Sequence, residues 1–335
     1  MKRIFSCALC ALMMILALCA CTSMQPSSAS FQAMDTLMSL KVYGGNTNLC
    51  DTLKSRIQTL DGLLDATDEK SEIARLNAEK SAAVSEDTDA LLQRSLTLCE
   101  QLGDSFDITV CPAVRAWGFT TGDYRIPSKD ERKALADRID YRRVKADHGT
   151  YTLSAQTELD LGAVAKGYAA DISADLLRDG GAQAAVLNLG GTIALYGKKP
   201  DGSRFSVGIA DPENPAAYFG TLDCDACVVA TSGGYERYFE RDGKRYIHIL
   251  DPKTAAPVEN GVRSVTIVTD DGTRADALST ALFVMGLDKA TDYYRAHRDF
   301  DLILLTENDE LYLTEGIFDD FSLSDGYDYI VHRLG

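Results

Sequence analysis

A lysine stands near the start of a predicted helix in the stretch ELDLGAVAKGYAAD, residues 158–171. Apolar residues repeat every four positions from Val164 to Leu176 and mark the buried face, and Lys166 lies off that face. A solvated lysine is the ordinary interpretation. However, the free N–H groups of a helix start favour an anion, and the small neighbours of Lys166 let a ligand approach. The pattern therefore also fits a bound phosphate.

A carboxylate and a hydroxyl share one face of a second predicted helix, in RADALSTALFVMG, residues 274–286. Asp276 and Thr280 are four residues apart, so their side chains are neighbours. Asp276 could be only a charge or cap at the helix start. The pair would also supply two hard oxygen ligands for Mg²⁺, completed by a backbone carbonyl and by phosphate oxygens of a substrate.

The chain has four histidines, and His248 alone lies in an alternating strand pattern, next to the residues ILDP. It is either a strand histidine bonded to a neighbour or a base that works near neutral pH. The segment TSGG, residues 231–234, is either a plain turn or a loop that lets a ligand touch the backbone.

Aromatic residues in GDSFDITVCPAVRAWGF, residues 103–119, offer a further contact for a ligand. Phe106 and Asp107, in a predicted short strand, could stack on a flat heterocycle and form hydrogen bonds with it. The only tryptophan, Trp117, could stack as well, although a single tryptophan is more often part of a core. Cys224 and Cys227 form an isolated CxxC pair, which favours a disulfide or two idle thiols over zinc or redox chemistry.

The composition limits what these residues can serve. The net charge of −16 over 335 residues argues against nucleic acid as a partner.

Lys2 and Arg3 precede an apolar run at 4–20, which predicts an export signal. The boundary LCAC at 18–21 resembles a bacterial lipobox, so Cys21 is predicted to carry lipid. Residues 21–30, rich in Ser and Pro, would be a flexible tether.

The remaining sequence predicts an α+β fold. Helical spacing covers 48–64 and 86–102, a helix begins at 163, and another covers 275–286. Strands are predicted at 38–44, at both ends of 151–162, at 184–197 with a break at two glycines, and at 264–269. Hairpins are predicted around Asp242-Gly243 and at the C-terminus. Tight turns between strands indicate a mostly antiparallel sheet. The sequence lacks both GxGxxG and Walker A motifs.

Six motifs occur together in one order: FQAMDTLMSL, GDSFDITVCPAVRAWGF, LDLGAVAKGYAAD, NLGG, ATSGGYERYFERDGKRYIHILDP and ADALSTALFVMG. In this order they resemble the ApbE family, the FAD:protein FMN transferases, over residues 31–335. The resemblance implies an exported and often lipid-anchored protein with a T-fold-like α+β architecture and a single catalytic unit. It also implies FAD as donor substrate and Mg²⁺ as metal.

The resemblance further implies roles for individual positions. The cofactor-binding positions are Met34, Ser105, Phe106, Asp107, Asp160, Lys166 and Leu250, with Lys166 near the phosphates. The metal positions are the Ala163 carbonyl, Asp276 and Thr280, with Ser279 close by. His248 is the implied base. The family commonly has Met-Gly-Thr where this chain has Met34-Asp35-Thr36, which adds a charge near the flavin.

The implied chemistry is an in-line displacement at phosphorus. A threonine hydroxyl of an acceptor protein attacks the FMN-side phosphorus, and AMP leaves. Attack by water would make the chain an FAD pyrophosphatase instead. A flavin-binding lipoprotein without turnover is the third possibility. The family suggests membrane electron-transport subunits or exported flavoproteins as acceptors.

Overall fold

The computed structural model describes residues 25–335, and within that range a nine-stranded sheet forms the centre of the fold. The predicted signal peptide and the lipidation site Cys21 lie outside the described residues. The strands, in chain order, are β1 (Ser27–Ala33), β2 (Thr36–Gly44), β3 (Ser81–Ala83), β4 (Val144–Asp147), β5 (Thr150–Leu153), β6 (Ala182–Asn188), β7 (Thr192–Gly197), β8 (Phe205–Ala210), β9 (Tyr218–Cys224), β10 (Val228–Gly233), β11 (Tyr238–Arg241), β12 (Lys244–Ile247), β13 (Leu250–Asp251), β14 (Ala256–Pro257), β15 (Val262–Thr269), β16 (Asp301–Thr306), β17 (Glu310–Thr314), β18 (Phe321–Leu323) and β19 (Ile330–Leu334). The α-helices are α1 (Leu49–Leu64), α2 (Glu72–Glu79), α3 (Glu86–Leu102), α4 (Cys111–Trp117), α5 (Lys129–Ala136), α6 (Ala165–Asp179), α7 (Gly272–His297) and α8 (Glu315–Phe318).

The order of the main sheet is β1-β2-β6-β7-β10-β15-β16-β17-β19. Its neighbouring strands are antiparallel except for β17 and β19, which run parallel. The α+β prediction with a mostly antiparallel sheet is therefore confirmed.

The main sheet is covered on both faces. Helices α6 and α7 pack on one face and against each other. On the other face, apolar residues of the small sheet β8-β9-β18, such as Phe219, pack against Val268 and Ile303 of the main sheet. Burial on both sides explains the apolar run in the central strand β15, whose residues Ser264–Thr269 are all buried. Helix packing on this sheet sets the positions of the α6 and α7 starts.

The tether prediction is wrong at its C-terminal end. β1 begins at Ser27 and pairs with β2 from Ser27↔Val42 to Ala33↔Thr36, so residues 27–30 belong to the sheet. Small polar residues are typical of a linker, but here they form an edge strand whose exposed side chains need not be apolar. Composition therefore does not reveal the strand.

Two other strand predictions require correction. Residues 158–161 form no strand, because the side chain of Asn77 takes the place of a strand partner: Leu159 N–H donates to Asn77 Oδ1 at 2.6 Å, and Asn77 Nδ2 donates to the Leu159 carbonyl at 2.9 Å. The predicted interrupted strand at 184–197 is a hairpin of β6 and β7. It turns where Gly190 and Gly191 adopt φ of 77° and 85°.

The helices at 48–64 and 86–102 and the hairpin around Asp242-Gly243 are confirmed. The helix predicted at 275–286 begins at Gly272 and continues to His297, with a kink at Gly286. Between residues 25 and 335 we find no helix with the length and apolar character needed to span a bilayer.

Candidate active site

The starts of α6 and α7 meet at a contact between two glycines. A Cβ on Gly167 would lie 2.0 Å from the carbonyl oxygen of Gly272, so only glycine allows the helices to come this close. The same contact lets Gly167 N–H donate to Asp276 Oδ2 at 2.6 Å. Lys166 on one helix and Asp276 on the other are thereby brought to the same place.

Asp276 is buried with both carboxylate oxygens in use. Thr192 Oγ1 donates to Oδ1 at 2.6 Å, opposite the bond from Gly167. Burial raises the pKa of the Asp276 carboxyl, and the charge of Lys166 and the two hydrogen bonds oppose that rise. The carboxylate is therefore fixed in orientation.

The oxygens around Asp276 are of the kind that Mg²⁺ prefers. Ser232 Oγ lies 2.8 Å from Ser279 Oγ and 3.2 Å from Thr280 Oγ1, so the hydroxyls of α7 share one side of the site. In an α-helix the Gly167 N–H would ordinarily donate to the carbonyl of Ala163, four residues earlier. Here the Gly167 N–H donates to the Asp276 carboxylate instead. Within residues 25–335 no group of three or more His, Cys, Asp or Glu gathers as a metal site. A single carboxylate with neutral oxygens suits a cation that keeps places for water and substrate phosphates.

One cleft contains nearly all the residues that the sequence predicted. It is lined by Ser105, Phe106, Asp107, Asp160, Ala163, Lys166, His248, Leu250, Asp276, Ser279 and Thr280. Met34 is not among the lining residues and lies in the turn between β1 and β2, with φ of 49°. Among residues 25–335 the Lys166 side chain forms no ion pair within 4.0 Å, although it borders the cleft.

The segment with Phe106 and Asp107 is a turn after a short 3₁₀ helix at Gly103–Ser105, so the strand prediction there is wrong. Asp107 Oδ1 accepts from Thr109 N at 2.8 Å, and Oδ2 accepts from Tyr141 N at 2.9 Å. Burial raises the pKa of the Asp107 carboxyl. The Asp107 carboxylate therefore holds two parts of the chain that are distant from each other in sequence, at Thr109 and Tyr141, against this turn.

Asp160 lies on the cleft wall next to the start of α6. Its Oδ1 accepts from Gly162 N at 2.8 Å, and its own N–H donates to the Ile108 carbonyl. Burial raises the pKa of the Asp160 carboxyl, against the bond from Gly162 and the charges of Arg237 and Lys166. The turn that leads into α6 is therefore tied to the cleft wall.

His248 directly follows the β11–β12 hairpin. Its Nδ1 lies 3.1 Å from the carbonyl oxygen of Arg237, and Phe119 meets the ring edge to face at 6.4 Å between centroids. A carbonyl only accepts, so Nδ1 carries the proton and Nε2 keeps a free lone pair. Burial, and then the charges of Arg237 and Lys166, lower the pKa of His248 to about 4. The ring is thus neutral at physiological pH.

The other candidates lie outside the cleft. Trp117 is buried and donates from Nε1 to the Ala255 carbonyl at 2.8 Å, as its core interpretation predicts. The histidines other than His248 do not line the cleft. Cys224 and Cys227 are free thiols in the described structure, as are Cys50, Cys99 and Cys111.

Sequence reasoning missed the two charged cleft residues Glu236 and Arg237 and the carboxylate partner Thr192. Glu236 and Arg237 follow the segment TSGG. Its first three residues belong to the strand β10, and only its last glycine lies outside that strand. The signal was present in the letters YER within the matched motif. Thr192 directly follows the NLGG motif and carried no signal of its own.

A protein-family model described as the ApbE family matches residues 34–304. The chain belongs to the ApbE family. A Treponema pallidum (strain Nichols) protein named FAD:protein FMN transferase is 35% identical over 286 residues, covering 78% of each chain. A Klebsiella pneumoniae (strain 342) protein of the same name is 31% identical over 311 residues, 90% of this chain and 96% of that one. The crystal structure of the ApbE protein from Thermotoga maritima superposes with a TM-score of 0.79 at 30% identity and covers 90% of this chain and 97% of that one. The ApbE architecture predicted from the motifs is thereby confirmed.

Proposed function

We propose that this protein transfers the FMN part of FAD to a threonine hydroxyl of an acceptor protein, in a Mg²⁺-dependent reaction that releases AMP. The observation that carries the proposal is that one cleft combines three features. An ammonium, Lys166, lies at the start of α6, oxygens of Asp276 and Thr280 lie in the N-terminal part of α7, and a neutral imidazole, His248, lies on the wall. The name that the ApbE relatives carry supports FAD as donor and a protein as acceptor.

The donor substrate is anionic at its diphosphate, and Lys166 is the cleft cation nearest the α6 start. The N–H groups of Ala165 and Gly167 in the first turn of α6 already donate to the Leu161 carbonyl and to Asp276, so the helix start contributes the positive end of its dipole. In this proposal Lys166 and the helix start bind the diphosphate. Asp276, Thr280 and the Ala163 carbonyl would hold Mg²⁺, with Ser279 close by. Bound Mg²⁺ neutralises charge that develops on the phosphate oxygens.

The proposed role of His248 is to accept the proton of the attacking hydroxyl. Its Nε2 has the free lone pair, because Nδ1–H donates to the Arg237 carbonyl. The hydroxyl oxygen forms a bond to the FMN-side phosphorus, and the bond from that phosphorus to the bridging oxygen breaks. AMP departs with the bridging oxygen, and the acceptor keeps FMN as a phosphoester.

We propose further that the protein works outside the cytoplasmic membrane, held there by lipid on Cys21. The apolar run at 4–20 and the LCAC boundary support this placement. Acceptors would then be membrane electron-transport subunits or exported flavoproteins.

The function is tested by incubating the full chain with FAD and Mg²⁺, with and without an acceptor flavoprotein that has a threonine target. We expect AMP and flavin-labelled acceptor to form together, and neither to form when EDTA is added. Release of AMP without acceptor would instead identify an FAD pyrophosphatase, and no AMP in either sample would identify a binding protein.

The His248→Gln variant separates binding from chemistry in the same assay. We expect it to bind FAD as the unchanged chain does and to lose transfer by about 10²- to 10⁴-fold, which is typical of a lost general base. Loss of FAD binding with no separate loss of transfer would make the role of His248 structural.

A further inference from the structure

Arg237 is the last residue of the segment that connects β10 to the β11–β12 hairpin. Tyr238 pairs with Ile247 at the open end of that hairpin, so Arg237 lies opposite His248 one step further along. The Arg237 carbonyl oxygen accepts two hydrogen bonds from His248, from the backbone N–H at 3.0 Å and from Nδ1 at 3.1 Å. Both the backbone and the ring of His248 are therefore held by one atom.

The side chain of Arg237 reaches the same cleft. It lines the cleft wall, and its Nη2 lies 3.4 Å from Asp35 Oδ2 in the β1–β2 turn. Asp35 has a φ of 59°, and its side chain is 75% exposed. The guanidinium is therefore paired at the β1–β2 turn, while Arg237 and His248 line the same cleft.

The charged groups that share the cleft with His248 are of both signs. The positive ones are Arg237 and Lys166, and the negative ones are Asp107, Asp160, Glu236 and Asp276. The two cations act against protonation of the ring, and Arg237 has the larger effect of the two. A second positive charge beside a guanidinium is disfavoured by like-charge repulsion.

We propose that Arg237 is the positioning residue of His248: its carbonyl fixes the ring tautomer with Nε2 free, and its guanidinium opposes a positive charge on the ring. The inference rests on the proposed function, in which His248 is the base. Arg237 acts through His248. Its contribution is therefore visible in the protonation and tautomeric state of the imidazole before any substrate binds.

The test is a proton NMR titration of the histidine rings in the full chain, free of FAD and metal. The His248 signal is assigned by its absence in His248→Gln. We expect Arg237→Gln to raise the titration midpoint of His248 by about one pH unit, since a neighbouring charge has been removed. Arg237→Lys keeps the charge and should restore most of the midpoint.

Arg241→Gln is the matched control, because Arg241 lies on the same hairpin but its Nη2 bonds the Tyr124 carbonyl. We expect its His248 midpoint to equal that of the unchanged chain. An unmoved midpoint in Arg237→Gln, or an equal shift in Arg241→Gln, would overturn the inference.

The transfer assay then keeps the two proposals apart. In Arg237→Gln the acid limb of the rate should move upward with the NMR midpoint. If His248→Gln still transfers FMN, the proposed base is wrong, whatever the titration gives. If His248→Gln is inactive while Arg237→Gln leaves both the midpoint and the acid limb in place, only the inference about Arg237 fails.

Discussion

Asp276 is the residue on which the metal assignment depends, and its hydrogen bonds make a second effect measurable. We expect Asp276→Ala to abolish Mg²⁺-dependent AMP release. We also expect it to lower the free energy of unfolding by about 2–4 kcal/mol, since the Gly167 amide and the Thr192 hydroxyl would lose their buried acceptor. Activity is measured over a Mg²⁺ series, and stability by urea unfolding.

Thr192→Val is the control for that loss of stability. It removes one donor to Asp276 but leaves the carboxylate in place. We expect it to be less stable than the unchanged chain and to keep its AMP release at saturating Mg²⁺. Unchanged activity of Asp276→Ala at limiting Mg²⁺ would count against the metal assignment.

The low pKa of His248 predicts where activity falls in acid. A base must be unprotonated, and the pKa of about 4 in the fold is below the ordinary value of about 6.5. At saturating Mg²⁺, kcat/KM for FAD should therefore stay level from about pH 7 to pH 5 and fall as the pH drops through about 4. The depressed pKa of His248 by itself lowers the free energy of unfolding as the pH falls from about 6.5 to about 4, and the raised pKa values of Asp107, Asp160 and Asp276 act in the opposite direction. An acid limb centred near pH 6.5 would contradict the assignment.

The sequence could predict most of the functional side chains that the structure brings together in the cleft. Lys166, Asp276, Thr280 and His248 were identified from residue type, spacing and family resemblance, and the cleft contains all of them. Arg237 stood in a matched motif, but its contact with His248 could not be predicted, because it is made by a backbone carbonyl that every residue has.

At the scale of elements, the crossing of α6 and α7 determines the site, and it depends on Gly167. Gly167→Ala would place a methyl group 2.0 Å from the Gly272 carbonyl, so the helices must move apart. We expect a loss of about 2 kcal/mol or more of unfolding free energy, together with weaker FAD binding. Urea unfolding and fluorescence titration with FAD provide the two measurements.

Gly62→Ala in α1 is the matched control, because a Cβ there meets no atom within 4 Å. We expect it to stabilise the fold by about 0.5–1 kcal/mol and to leave FAD binding unchanged. If both alanine variants behaved alike, helix propensity would explain the data and the close crossing would have no part in the site.

Elements with a strong period were predictable, and those made by distant partners were not. The apolar spacing of α1 and α3 identified both helices, since one face of each is buried. Residues 158–161 read as a strand because their apolar and polar residues alternate. The partner of Leu159 is the side chain of Asn77 from another element, and no local pattern reveals that.

For the whole molecule, the main sheet holds together helices on one face and a small sheet on the other, and β1 forms one edge. A chain that starts at residue 25 keeps β1 and should fold and transfer FMN to a soluble acceptor. A chain that starts at residue 36 lacks Phe31 and Ala33, which are buried in the core, and exposes the edge of β2. We expect the shorter chain to unfold at lower urea and to aggregate. Equal stability of the two chains would show that β1 is dispensable.

The position of Ser27 at the start of β1 sets a distance scale for the proposed anchor. Between a lipid on Cys21 and the first sheet residue there are only residues 22–26, which fully extended span about 20 Å. An enzyme anchored through so short a linker can reach only acceptor sites close to the bilayer surface. Its acceptors must then present their threonine within that distance of the bilayer. The height of the threonine above the membrane would therefore select acceptors before any side chain in the cleft does.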